Sequence, residues 1–174
     1  MQKACDNSPG AMAAILGLED ADVEQICADT EGIVVPANYN CPGQLVISGA
    51  VDAVERAVEL AKERKARRAI LLPVNGAFHS PLMKQAEDEL AAAIGETTFH
   101  APKAPVYQNY TAQAETDIDM IRQNLINQLT GSVKWTQTMK AMKADGNTEV
   151  IESGAKVLSG FFRRFDREMT VNQI

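Results

Sequence analysis

Histidine is scarce in these 174 residues: only His79 and His100 occur. Cysteine is scarce too. Cys5, Cys27 and Cys41 are odd in number and none belongs to a CxxC pair, which argues against a disulfide framework and a zinc site, and reads as a reduced, cytoplasmic protein. No apolar stretch nears the roughly 20 residues that a membrane-spanning helix needs, and the opening MQKACDNSPG lacks the apolar core of a secretory signal. Positive charge is in deficit, with a formal net charge of −6, so nucleic acid is a poor principal partner. Aromatic residues make up 5 % of the chain and none falls in AMAAILG or QLVISG. A sheet built from those segments lacks the rings on which RNA bases stack, so an RNA-binding domain ranks last among the readings. Internal repeats and low-complexity segments are absent.

What is present is enough apolar residue, 45 % of the chain, to bury a core in one domain or two small ones. AMAAILG (11–17) reads as a short strand, and Asp20 to Cys27 as a helix with Val23, Ile26 and Cys27 on its apolar side. IVVPANYN (33–40) and QLVISG (44–49) are two further strands across the hairpin-length Cys41-Pro42-Gly43, with Pro36 making the first an edge or interrupted strand. Val51, Val54, Val58 and Ala61 mark a helix to about Arg64, and ARRAILLPV (66–74) supplies a fourth strand. The order βαββαβ is that of a ferredoxin-like subdomain over residues 10–75.

Residues 76–174 alternate helix and strand. Leu82, Ala86, Leu90 and Ile94 line a helix ending near Gly95, and APVYQNY (104–110) is a strand. Asp117 caps a helix carrying Ile118, Ile121, Leu125 and Leu129; another follows with Trp135, Met139 and Met142 on one side. TEVIE (148–152) is a strand, and Leu158, Phe161, Phe162 and Phe165 form the apolar face of a last helix. The whole is an α/β layer structure, and an incomplete one, because two strands make a poor parallel sheet.

The stretch PVNGAFHSPLMK (73–84) sets His79 at a strand-to-helix junction. Ser80 can cap a first turn and Pro81 is preorganised for the first helical position. His79 is thus expected just outside a helix N-terminus, where the peptide dipoles favour a neutral ring able to take a proton. His100, in the turn TFHAP, is expected to be an exposed loop residue.

Five segments, GAMAAILGL, VVPANYNCPGQLVISG, NGAFHSPLM, INQLTGSVKWTQTM and KVLSGFFRR, resemble in order and spacing those of the malonyl-CoA:acyl carrier protein transacylases of fatty acid and polyketide synthesis. The resemblance implies a ferredoxin-like subdomain inserted into an α/β-hydrolase-like core, of which residues 76–174 would be the C-terminal part. It implies a ping-pong acyltransferase that moves malonyl from malonyl-CoA to the phosphopantetheine thiol of acyl carrier protein, with no metal or redox cofactor. His79 matches the catalytic histidine, the base for a serine nucleophile. Gln128 matches the position whose backbone carbonyl orients that imidazole, the part an aspartate plays in a protease triad. Asn38 and Asn40 match a loop lining the acyl pocket, and Phe78 matches a residue that accompanies malonyl over methylmalonyl selection.

The departures from the family pattern carry as much weight. The family serine lies in a GHSxGE nucleophile elbow, and no GxSxG occurs in this chain. The arginine that grips the malonyl carboxylate and a glutamine loop of the oxyanion hole lie upstream of the matched region, and Met1 aligns with an internal position of the family. ESGAK (152–156) stands where the family has a glycine-proline-glycine turn. The chain is therefore expected to be a C-terminal portion with negligible activity alone, leaving an apolar face that invites self-association. Lys62, Arg64, Lys65, Arg67 and Arg68 form a basic run that suits an acidic carrier protein or CoA phosphates, or equally a solvated helix end. Cys41, beside the pocket loop, has nothing to activate it and reads as structural. The alternative to an acyltransferase is a non-catalytic module that binds a carrier protein or another subunit.

Overall fold

In the computed structural model residues 2–7, 9–154 and 156–174 are described. After a short helix α1 (Gln2–Asn7), the first half runs β1 (Gly10–Leu16), α2 (Asp20–Asp29), β2 (Val34–Cys41), β3 (Gln44–Ala50), α3 (Val51–Glu63) and β4 (Arg68–Leu71). The four strands form one sheet in the order β2-β3-β1-β4, with every neighbouring pair antiparallel. Strand alternation divides the apolar residues between its two faces. Ala13, Ile15, Leu45 and Ile47 pack under Val23 and Ile26 of α2 and Val54, Ala57 and Val58 of α3. Met12, Ala37 and Val46 point the other way and meet Leu72, Val74 and Phe78. Both faces are covered, so β3 is buried from Leu45 through Gly49.

The second half opens with a 3-10 turn (Pro81–Met83) and continues through α4 (Lys84–Glu96), β5 (Val106–Gln108), β6 (Gln113–Glu115), α5 (Ile118–Asn127), α6 (Trp135–Ala144), β7 (Glu149–Glu152), α7 (Leu158–Phe165) and β8 (Thr170–Gln173). The Asp117 side chain caps α5 by accepting from Met120 N at 2.9 Å. Inside, Asn124 Nδ2 donates to Gln108 Oε1 (2.9 Å) and Gln108 Nε2 donates to Ile121 O (3.0 Å), which locks α5 onto β5. Trp135 meets Phe162 edge-on at 5.8 Å, and these two with Met139, Met169 and Cys41 make the core that joins this half to the end of β2. The start of α7 is capped from β7: the nearly buried Glu152 accepts from Leu158 N (2.8 Å) and Ser159 N (2.9 Å). No described helix is long and apolar enough to cross a membrane.

Several elements differ from the sequence reading. The strand expected over 66–74 is only Arg68–Leu71, because β1 offers it just Ala13 to Leu16 as partners and Pro73 has no N–H to give. It is an edge strand, and Ile70 and Leu71 are about half exposed. Val51, placed on the apolar face of α3, is exposed at its first turn. The strand expected over 104–110 shrinks to three residues and forms a hairpin with β6, whose Gln-Ala-Glu carries no apolar alternation to betray it. Strand β8 also escaped, and it pairs in parallel with β7 from Glu149↔Thr170 to Glu152↔Gln173.

Gly49 shows how tightly the sheet is built. A Cβ there would lie 1.9 Å from the Ile33 carbonyl oxygen, which accepts from Ala50 N at 2.8 Å. Gly49→Ala is therefore expected to displace that carbonyl and lower stability by about 1–3 kcal/mol. Urea unfolding should show a reduced midpoint with an unchanged m-value.

Candidate functional site

His79 lies in the loop between β4 and α4 with its backbone in the left-handed region, φ 59°. Histidine is among the residues that tolerate this, yet the conformation still costs on the order of 1 kcal/mol and has to be held by its surroundings. Ser80 holds it from the following position: its buried hydroxyl donates to Ala77 O at 2.6 Å and accepts from Leu82 N at 3.3 Å. Behind the loop, Ala4 and Cys5 of α1 pack with Met83, Ala86 and Phe78. The chain then makes the 3-10 turn and becomes α-helical only at Lys84. The dipoles of α4 thus begin five residues beyond His79, and the ring is oriented by one specific partner instead.

That partner is the main chain of Gln128, with His79 Nδ1 2.9 Å from its carbonyl oxygen. Gln128 is the C-cap of α5, where carbonyls have run out of helical N–H partners. A carbonyl can only accept, so Nδ1 carries the proton and the lone pair of a neutral ring is on Nε2. The loop that presents this carbonyl is held by three sets of hydrogen bonds. Gln128 Nε2 donates to Gly131 O (2.7 Å) and Ser132 O (3.2 Å) within the loop. Ser132 Oγ donates to Pro36 O (2.6 Å), Val133 N to Ala37 O (2.8 Å), and Tyr39 N to Val133 O (2.9 Å), a parallel bridge onto the edge of β2. In the third set Thr130 Oγ1 donates to Glu87 of α4, which also accepts from Lys84. Those two partners hold the Glu87 carboxyl below its usual range.

His79, Phe78 and Asn38 share the wall of a cavity of about 310 Å³, completed by Met12, Met83 and Leu129. One imidazole and one amide in an apolar enclosure suit a small acyl group with a polar end. Gln128 stands behind the ring, while Asn40 is not among the lining residues; the pairing of β2 shifts between Tyr39 and Cys41 at that point. His100 is exposed. The sequence reading missed Met12, Met83 and Leu129, which a pattern assigns simply to the core, and missed Glu87 and Thr130, whose meeting is 43 residues apart in the chain. Cys41 is buried, with Arg164 Nη1 and Gln44 Oε1 each 3.9 Å from its sulfur. Burial pushes its thiol up, against the opposing pull of Arg164, and pushes that of Cys27 up to about 12. Neither is a ready nucleophile.

Two larger concavities lie elsewhere on the molecule, with linings that share no residue with this cavity. One of about 480 Å³ lies between the β2–β3 turn and the end of α7, with Arg67, Arg163, Arg164 and Arg167 around it. Of the 62–68 basic run Arg67 lines it, while Arg64 pairs with Asp29 and Lys62 with Glu59. The larger, about 920 Å³, lies between α3 and β4 on the helix side of the sheet, and charged side chains of α3 dominate it. Among the described residues no three histidine, cysteine or acidic side chains cluster as metal ligands would.

Comparison with known proteins gives the family of the chain. Residues 1–156 match the model of the acyl transferase domain. The malonyl CoA-acyl carrier protein transacylase of Escherichia coli K12 is 43 % identical over the whole chain, which spans 57 % of that protein's length. The crystal structure of the malonyl-CoA:acyl carrier protein transacylase of Xanthomonas oryzae superposes with a TM-score of 0.94 at 42 % identity, covering 99 % of this chain and 56 % of that one. A malonyl-transacylase solved in complex with its type II polyketide acyl carrier protein superposes at 0.93 with 33 % identity, covering 99 % and 58 %.

Because the Gln128 amide faces two carbonyl oxygens, its side chain matters even though its main chain makes the contact. Gln128→Glu would set a carboxylate against both and should destabilise the chain by about 1–3 kcal/mol, more than Gln128→Ala, which merely removes the donor. Equilibrium unfolding of the two variants checks the order.

Proposed function

The chain belongs to the acyl transferase domain family, and from that membership we propose that it supplies the base and acyl pocket for transfer of malonyl from malonyl-CoA to the phosphopantetheine thiol of acyl carrier protein. The observation that carries this reading is the His79–Gln128 contact on the wall of the 310 Å³ cavity. Nε2 is left free to take the proton of a serine as its oxygen attacks the thioester carbon; the departing thiolate then accepts a proton. In the second half-reaction the carrier thiol attacks the serine ester by the same route in reverse. No electrons change hands, so no redox cofactor is required. Phe78 crowds the cavity against an acyl chain branched at its α carbon, Asn38 offers its amide to the acyl group, and Asn40 would act from the neighbouring stretch of β2. The serine itself is not among these 174 residues, which contain no GxSxG.

The finer architecture belongs to the same proposal. The order β2-β3-β1-β4 with all-antiparallel pairing supports a ferredoxin-like subdomain over residues 10–75, and residues 76–174 would be part of the α/β acyltransferase core. Three free cysteines fit a cytoplasmic location. Half-exposed Ile70 and Leu71 and the more exposed Ile151 offer surface for self-association. A second reading, a module that binds a carrier protein without turning it over, is favoured by the arginine-lined cleft, which suits an acidic partner or CoA phosphates.

Supplied in trans with a segment carrying the family's GHSxGE elbow, the chain is expected to support malonyl transfer to holo carrier protein, and His79→Ala should slow that transfer about 10²- to 10⁴-fold. Turnover indifferent to His79→Ala would remove the histidine from the mechanism. Separately, Arg67→Glu with Arg163→Glu should weaken carrier-protein binding by about tenfold or more at low salt, with the difference shrinking as salt rises. Titration calorimetry at two ionic strengths checks it.

A further inference from the structure

We propose that Glu87 is a positioning residue for His79, acting through Thr130 on the loop that presents the Gln128 carbonyl. Glu87 is only 8 % exposed, and burying a carboxylate is costly unless its oxygens are partnered. Here both are, and the partners lie on different elements: Lys84 on the first turn of α4, and Thr130 two residues after Gln128. The 3-10 turn and α4 continue directly from His79. One carboxylate therefore ties together the two segments that carry the two ends of the His79–Gln128 hydrogen bond. The remaining bonds of the loop cannot substitute for it. Those of the Gln128 amide are internal and set the loop's shape, and those of Ser132 and Val133 anchor it to β2. Among the described residues, the Thr130–Glu87 contact is the hydrogen bond that fixes the loop against α4. Without it the loop keeps its shape and its anchor on β2, but no hydrogen bond sets its distance from the segment that carries His79, and a shift of about half an ångström is enough to weaken a 2.9 Å hydrogen bond.

The role rests on the reading of His79 as the base, yet it can be tested without turnover. Long-range ¹H–¹⁵N correlation spectra of the ¹⁵N-labelled chain, recorded with no substrate, distinguish the tautomers of its two histidines, with exposed His100 as internal reference. His79 is expected as the Nδ1–H form with a slowly exchanging proton. Glu87→Ala and Thr130→Val should each speed that exchange roughly tenfold and admit the Nε2–H form. Thr130→Ser should behave as the unaltered chain, and the double variant should be no worse than either single one. Folded Glu87→Ala and Thr130→Val variants that keep the tautomer and the slow exchange would overturn the proposal. If Glu87→Ala does not fold, Thr130→Val, close in volume and leaving the Lys84–Glu87 pair in place, decides alone. Failure of His79 in the transfer assay leaves these spectra unaffected, so the two readings fail separately.

Discussion

Everything at the site depends on a short seam along the free edge of β2. Residues 132 and 133 dock there through Ser132 Oγ to Pro36 O, Val133 N to Ala37 O and Tyr39 N to Val133 O. An edge strand leaves a row of unpaired N–H and C=O groups that must find partners, and here they are used to join the two halves of the chain. Pro36 limits the pairing of β2 with β3 at that point, since the register shifts between Pro36 and Asn38. The result is that the end of α5 is carried to within hydrogen-bond reach of a loop 49 residues earlier.

The site is correspondingly composite. The sheet contributes Met12 and Asn38, the loop after β4 contributes Phe78 and His79, and the loop after α5 contributes Leu129 and the carbonyl behind the ring. None of these segments could set the geometry alone. Burial on both faces of the sheet makes it stiff: the face opposite the helices is the cavity's own floor, and Met12, Ala37 and Val46 there are almost inaccessible to water. The superposition on solved transacylases covers both halves of the chain together, and within it rigid strands place the loops that line the cavity.

The first half was legible in the sequence because its signals are local and agree with one another. Val23, Ile26 and Cys27 at helical spacing, the Pro42-Gly43 turn, and the short apolar run of β1 each predict what is seen. His79 drew notice through the motif around it, and Gln128 through the family resemblance. What escaped was held by distance. Strand β8 has four mostly polar residues and exists because β7 offers it a partner, β6 is likewise defined by its hairpin, and Glu87 looks like any acid on a helix surface until Thr130 is brought against it. The left-handed backbone of His79 was equally silent, since no residue type announces it.

That the ring leans on a peptide carbonyl has a consequence for how such a chain can change. A carboxylate in that place would be a second ionising group coupled to the first, and one substitution could delete it. A peptide carbonyl neither titrates nor can be substituted away, so a replacement at position 128 reaches the ring only by disturbing the loop that its side-chain amide helps to shape. What heredity has to preserve is then a path through space and not a letter in the sequence, and damage to it would come from insertions or deletions in the 128–134 loop more readily than from point replacements that leave the fold of that loop intact.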